Sequence, residues 1–301
     1  MDENPAVSVV IATYNRAHFL GQTLESICAQ PFENYEVIVV DDGSTDGTRQ
    51  LVEGYGRRIR YFYQTNRGPS AARNMGVSRA QAPWIAIQDS DDLMGAEHLA
   101  VLIEQASRYP QCGIIFGNGA YLDPSGRHRK TIIAPEKSRR LAAAGIRLPD
   151  LFDKSIVRLQ AALISKKCYD AIGGHDESLR ICMDLDLAFR LFMNFPMVYV
   201  DKVLFQYRIH EGNIGRNEEL RLGENIRVIE KLLRDFPEAR QILGNRKIAR
   251  RLAYRYYRLA KRLKKSHDWV GARKALRQAI GHRPCYLKYH LYRIVWSATL
   301  R

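Results

Sequence analysis

Apolar and polar positions follow a fixed order in the N-terminal part of the chain: a short β-branched run, a polar loop, then a stretch with helical spacing. Residues 7–11 (Val-Ser-Val-Val-Ile) make the first run and stop at Thr13-Tyr14-Asn15-Arg16. β-Branched side chains suit a pleated, half-buried surface, so this predicts a strand. Leu20, Leu24, Ile27 and Cys28 then fall on one helix face. Residues 36–40 form a second run, closed by Asp41-Asp42-Gly43-Ser44-Thr45-Asp46-Gly47-Thr48, a turn with capping residues for a helix starting near Thr48. Residues 59–63 predict a third strand, 68–78 a helix with Pro69 in its first turn, and 84–88 a fourth strand. Strand, loop and helix thus repeat about every 25 residues, the spacing of a doubly wound, mostly parallel α/β sheet. Ligands bind such sheets outside the carboxyl ends of the strands. Thr13-Tyr14, Asp41-Asp42 and Asp89 to Asp92 are all expected on that rim.

The middle of the chain is less regular. Residues 114–116 and 132–133 predict strands of a second, smaller sheet, 183–195 a helix and 198–207 a strand. From Leu220 onward the pattern is helical. One apolar stripe is Ile248, Leu252, Tyr256, Leu259 and Leu263; another is Trp269, Ala272, Leu276, Ala279 and Ile280.

Composition narrows the class. Hydrophobic residues are 46% of the 301, as in a folded globular protein. No apolar run of about 18 residues occurs, so no membrane-spanning helix is expected. The acidic start, Asp2-Glu3, leads directly to a strand and does not read as a secretory signal. The five cysteines are scattered without CxxC spacing, which points to reduced cytosolic thiols rather than a zinc site or disulfide framework.

The net charge of +15 is unevenly placed. Residues 246–301 hold 17 of the 47 Lys and Arg against one acid, Asp268, which leaves 30 basic and 31 acidic residues in positions 1–245. A neutral globule with a basic tail is drawn to anionic surfaces. The candidates are the cytoplasmic membrane leaflet and nucleic acid. The tail has no nucleic-acid-binding motif and its tyrosines look like helix-packing residues, so the membrane is favoured. Residues 253–284 also resemble a single tetratricopeptide-like helix pair, too few for a solenoid.

The candidate chemistry centres on residues 84–92, an apolar strand that runs into Asp89-Ser90-Asp91-Asp92. Asp is a poor strand residue, and clustered carboxylates repel one another. A hard divalent cation, Mg2+ or Mn2+, relieves that repulsion and shares its shell with substrate phosphates. The alternative is an acidic turn that caps the next helix, a role expected of Asp92 in particular.

Six segments, in this order, resemble the family 2 glycosyltransferases of GT-A fold: 7–16 (VSVVIATYNR), 35–48 (YEVIVVDDGSTDGT), 66–76 (NRGPSAARNMG), 84–92 (WIAIQDSDD), 173–190 (GGHDESLRICMDLDLAFR) and 207–213 (YRIHEGN). The resemblance, over about residues 5–215, implies a Rossmann-like, mostly parallel mixed sheet flanked by helices, and the helical pattern from Leu220 adds a C-terminal all-helical extension. It divides the chain into a glycosyltransferase domain over 1–219, with a nucleotide half at about 5–94 and an acceptor half at about 95–219, and a basic extension over 220–301. It implies that Thr13, Tyr14, Asn15 and Arg16 hold the nucleotide, Tyr14 by stacking. Asp42 either accepts from a uracil-type imide or caps a helix, with Asp41 its structural neighbour. Arg73 reaches ribose or phosphate. Asp89-Ser90-Asp91 is similar to the family's DxD motif, with Asp91 as metal ligand and Asp89 as its partner. Asp184 falls at the general-base position, and His210 in the closing loop approaches the diphosphate.

One departure is plain: the family's usual Glu before the base is Met183. Asp186 and Arg190, four apart on a helix, are expected to pair. The QxxRW segment of processive synthases is absent. The implied activity is therefore inverting, non-processive and metal-dependent. It moves one hexosyl or N-acetylhexosaminyl unit from a nucleoside-diphosphate sugar to a glycan or lipid-linked saccharide, in building a cell wall, lipopolysaccharide or capsule. UDP is the default donor nucleotide and dTDP remains open. The implied location is cytoplasmic, or peripheral on the inner face of the membrane. Two other classes compete: a donor-binding protein without turnover, and an adaptor that works through its basic tail.

Overall fold

The computed structural model describes residues 4–123 and 127–298. In chain order the elements are β1 (Val7–Thr13), α1 (Ala17–Cys28), β2 (Tyr35–Asp41), α2 (Thr48–Glu53), β3 (Ile59–Tyr63), α3 (Pro69–Ser78), β4 (Trp84–Asp89), β5 (Leu93–Met94), α4 (His98–Arg108), β6 (Ile114–Leu122), β7 (His128–Thr131), α5 (Pro135–Ala144), α6 (Leu148–Asp153), β8 (Ala162–Ser165), α7 (Lys166–Ala171), α8 (Met183–Asn194), β9 (Met197–Arg208), α9 (Glu218–Asp235), α10 (Glu238–Leu243), α11 (Asn245–Lys265), α12 (Trp269–His282) and α13 (Leu287–Ala298). The chain divides into two compact units, residues 1–211 and 212–301.

The first unit is built on one nine-stranded sheet, in the order β3-β2-β1-β4-β8-β6-β9-β5, with β7 paired to β6. The pairs β1–β2, β1–β4 and β2–β3 are parallel, while β4–β8 and β6–β8 are antiparallel. The sheet is therefore mixed and flanked by helices. The predicted second sheet does not exist as a separate layer. Residues 114–116 begin β6, which reaches β4 through β8, and residues 132–133 follow β7 rather than lying in a strand. Residues 7–11 are fully buried and apolar except for Ser8, whose hydroxyl donates to Glu36, as parallel strands require when both faces are covered.

Parallel register places the rim. Thr13 pairs with Asp41, and Ala12 with Asp89, so three loops leave the sheet at one level. α3 lies close on β1: a Cβ on Gly76 would come 2.3 Å from Val10 Cγ1. Only glycine permits that approach, and it sets the height of the helix that carries Arg73.

In the second unit α11 and α12 form a helix–turn–helix. Ala253, Tyr257 and Ala260 pack with Ala272, Ala275, Leu276 and Ala279, and Tyr289 of α13 joins them. Among the described residues no helix is long and apolar enough to cross a membrane.

Candidate active site

Asp89, Asp91 and Asp92 each offer a carboxylate oxygen, and these oxygens lie within 4.8 Å of one another. α1 holds the loop that carries them. The Thr23 hydroxyl lies 3.1 Å and 2.8 Å from the carbonyls of Ser90 and Asp92, and Gln30 donates to the Gly95 carbonyl at 2.8 Å. Asp92 does not cap the next helix. It is fully buried, and its Oδ1 accepts from the Arg208 backbone N–H at 2.9 Å, which ties the acidic loop to the end of β9. α4 starts instead behind Glu97, without a side-chain cap. The other Asp92 oxygen is buried without a partner. Burial, then the charges of Asp89 and Asp91, push the Asp92 carboxyl well above the usual range. A cluster so loaded with like charge, with an orphaned oxygen, suits a hard cation.

The remaining charges around this cluster are specific. Arg73, nearly buried on α3, donates to Asp89 at 2.5 Å and reaches Asp184 at 3.4 Å, so one guanidinium joins the two carboxylates. The charges of Asp89 and Asp184 raise the Arg73 pKa against the opposing effect of burial. The other Asp89 oxygen accepts from the Gln160 amide, on the turn before β8. His210 and Arg16 both face Asp91 Oδ2, at 2.9 Å and 3.6 Å. The His210 ring packs on Phe19 with centroids 4.4 Å apart, and Arg208 lies over the same Phe19 ring.

Asp184 stands in the first turn of α8. Burial raises its pKa and the Arg73 charge opposes the rise, while Asp89 adds to it. Its neighbour Met183 is buried, and the Ser70 hydroxyl lies 3.1 Å from its sulfur. The side chain at this position therefore packs against α3. The loop before α8 is pinned to the same helix: Asn74 Oδ1 accepts from the His175 N–H at 2.9 Å and from the Tyr169 hydroxyl at 2.6 Å. Gly173 and Gly174, at φ +77° and +68°, let the chain turn there. Asp186 pairs with Arg190 at 2.5 Å, as their spacing predicts, and Arg190 also donates to the Ile172 carbonyl.

On the loop after β1, Tyr14 is 46% exposed. Asn15 has φ +51°, and its side chain accepts from the Thr45 N–H. Thr13 is buried with an unpartnered hydroxyl. Asp41 is structural, taking the Ser44 N–H and the Tyr61 hydroxyl, both at 2.7 Å. Asp42 accepts from Gln64, Arg67 N–H and Gly68 N–H at 2.6 to 2.8 Å. It thus fastens the entry to α3 and does not cap α2, whose first N–H is taken by Asp46. Gln160, Thr23, Phe19 and Arg208 were not predicted as part of the site. Arg208 lies within the segment 207–213 that carries the family resemblance, whereas Gln160, Thr23 and Phe19 carry no sequence signal and enter through tertiary contact alone.

The comparisons with known proteins agree with this architecture. The sequence model of Glycosyl transferase family 2 matches residues 8–165. An uncharacterised glycosyltransferase of Rickettsia typhi is 31% identical over 210 residues, which are 69% of this chain and 65% of that protein. The chain therefore spans less than two thirds of that relative. The glycosyltransferase GlyG of Streptococcus pneumoniae is 35% identical over 123 residues, 40% of each protein. Among solved structures, S. aureus TarS 1–349 in complex with UDP-GlcNAc superposes with a TM-score of 0.66 at 21% identity, over 91% of this chain and 81% of that one. The mannosyltransferase PcManGT of Pyrobaculum calidifontis, in complex with GDP-Man and Mn2+, gives 0.64 at 19% identity, over 100% and 82%. These likenesses show the GT-A type of fold. With the family match covering more than half of the residues, the chain belongs to glycosyl transferase family 2.

Proposed function

We propose that the chain transfers a single sugar, with inversion, from a nucleoside-diphosphate sugar to a glycan or a lipid-linked saccharide. UDP is the favoured nucleotide. Tyr14 stacks on the base, with Thr13, Asn15, Arg16 and Asp42 lining its loop. Asp91, with Asp89, would hold Mn2+ or Mg2+. That ion, when bound, supplies Lewis-acid stabilisation to the departing diphosphate. Arg73, Arg16 and His210 bring further donors to the same place, where phosphate oxygens need them. Asp184 takes the proton from the acceptor hydroxyl, and its raised pKa makes it a better base than an exposed carboxylate. A base on one side of the anomeric carbon and a diphosphate on the other allow direct displacement, which inverts configuration.

The observation that carries this reading is the single guanidinium shared by Asp89 and Asp184. It sets the base and the acidic cluster a fixed distance apart, as a reaction across one sugar ring requires. Lipid-linked acceptors would be met at the inner face of the cell membrane, through the basic helical unit. A panel of nucleotide sugars with Mn2+, scored for nucleoside diphosphate release, tests the proposal. One donor should stand clear of the others. Donor binding with no release from any sugar, acceptor present, would mean a binding protein instead.

A further inference from the structure

Ten Lys and Arg of the helical unit lie on α11 and three on α12, and the three on α12 share one exposed side. α12 buries Ala272, Ala275, Leu276 and Ala279. Its opposite side presents Val270, Arg273, Lys274 and Arg277, all exposed and spaced as one helix face. Arg273, Lys274 and Arg277 make no ion pair or hydrogen bond among the described residues. By contrast Arg258 of α11 is engaged with Glu218 and Tyr254 inside the unit. Residues 269–301 contain no Asp or Glu. Large aliphatic side chains stand open in the same unit: Val270 is 81% exposed, and Leu287 and Leu291 of α13 are 76% and 62% exposed, while Tyr289 of that helix is buried.

A merely solvated face mixes acids with its bases, whereas this one carries three cations, no acid and the open Val270. Cations of one sign with an exposed aliphatic among them are what an interfacial helix offers to lipid, phosphates meeting the bases and acyl chains the apolar side chains. A single-stranded nucleic acid would instead favour open aromatic platforms, and the exposed tyrosines of the unit, Tyr254 and Tyr286, lie outside α12.

We propose that the exposed face of α12, with Leu287 and Leu291, seats the helical unit on an anionic lipid bilayer. The inference rests on the reading that the basic unit meets a membrane, and it names the residues that do so. The test is co-sedimentation of the full chain with phosphatidylglycerol-containing vesicles and with neutral phosphatidylcholine vesicles, at low and physiological salt. Wild type should bind the anionic vesicles, less so as salt rises. Each cation near such a surface contributes roughly fivefold, so the variant R273Q/K274Q/R277Q should lose about 10²-fold in partitioning. Nucleoside diphosphate release on a soluble acceptor should stay at the wild-type level. L287S/L291S should weaken binding most at physiological salt, where apolar insertion carries more of it. Wild-type partitioning by the triple variant overturns this face and leaves the membrane reading to the rest of the basic unit. A wild-type chain that ignores anionic vesicles overturns both, and capture of short RNA in their place hands the surface to another polyanion. Should the triple variant fail to fold, R273Q/K274Q keeps the question open to measurement, with about 25-fold expected.

Discussion

Asp184 and Met183 are adjacent in sequence and opposite in character. Asp184→Asn should lower turnover by about 10² to 10⁴, the usual loss for a general base, while donor binding stays intact. The pH profile separates this role from a structural one. Burial raises the Asp184 pKa, and only its unprotonated form is a base, so kcat should fall on the acid side at a pH above about 3.9, the ordinary Asp value. Arg73→Gln removes the charge that opposes the rise, and the limb should move to higher pH. The linkage sign is the reverse of a salt-bridged Asp. The folded state binds this proton more tightly than the unfolded chain, so the stability that protonation contributes is fully present below the unfolded pKa and is lost as pH rises through the folded pKa. Asp184→Asn should therefore match or exceed wild type in Tm at neutral pH, and a marked drop would make the residue structural. Met183→Glu, which restores the family's usual residue, should instead destabilise by about 3 to 5 kcal/mol, the cost of an unpaired buried charge, read by urea unfolding. Asp91→Asn should remain folded and lose cation-dependent binding of UDP, measured by titration with and without Mn2+. Asp91 stands out in the sequence because an apolar strand runs into carboxylates, whereas Asp184 is singled out only by the family resemblance of residues 173–190. Gln160 was not legible, since a buried amide before a short strand looks like any other until the partner Asp89 is brought to it.

At the scale of elements, periodicity served the parallel half well and the rest less well. β1, β2 and β4 are buried, β-branched runs with turns on either side, and their bounds were readable to within a residue or two. β6 was not placed in the same sheet, because its partners β8 and β9 are distant in sequence and a strand's neighbours leave no mark on its own pattern. Asp92 misled for a related reason. An Asp before a helix is a good cap in general, but here the backbone N–H of Arg208 arrives from β9 and takes its oxygen. α3 depends on close packing rather than on pattern. Gly76→Ala would drive a Cβ into Val10 and tighten against Val40. The cost should be about 1 to 3 kcal/mol, as overpacking gives. Since Arg73 lies one turn away on the same helix, donor affinity should fall together with Tm. A variant that loses stability but binds donor as wild type does would show that α3 need not sit tight on β1 for the site to form.

For the first unit as a whole, the proposed reaction gives the guanidinium of Arg73 a kinetic consequence. Its two carboxylate partners belong to the donor side and the acceptor side of the proposed reaction, so a ligand at either site changes the charge felt at the other. Such coupling is reciprocal: whatever factor the donor applies to acceptor affinity, the acceptor must apply to the donor. Initial-rate lines from varied donor and acceptor should then intersect rather than run parallel, the pattern of a ternary complex without a sugar left on the protein. Nucleoside diphosphate, as a product, should alter acceptor binding by the same linkage, and Arg73→Gln should uncouple the two sites before it empties either of them.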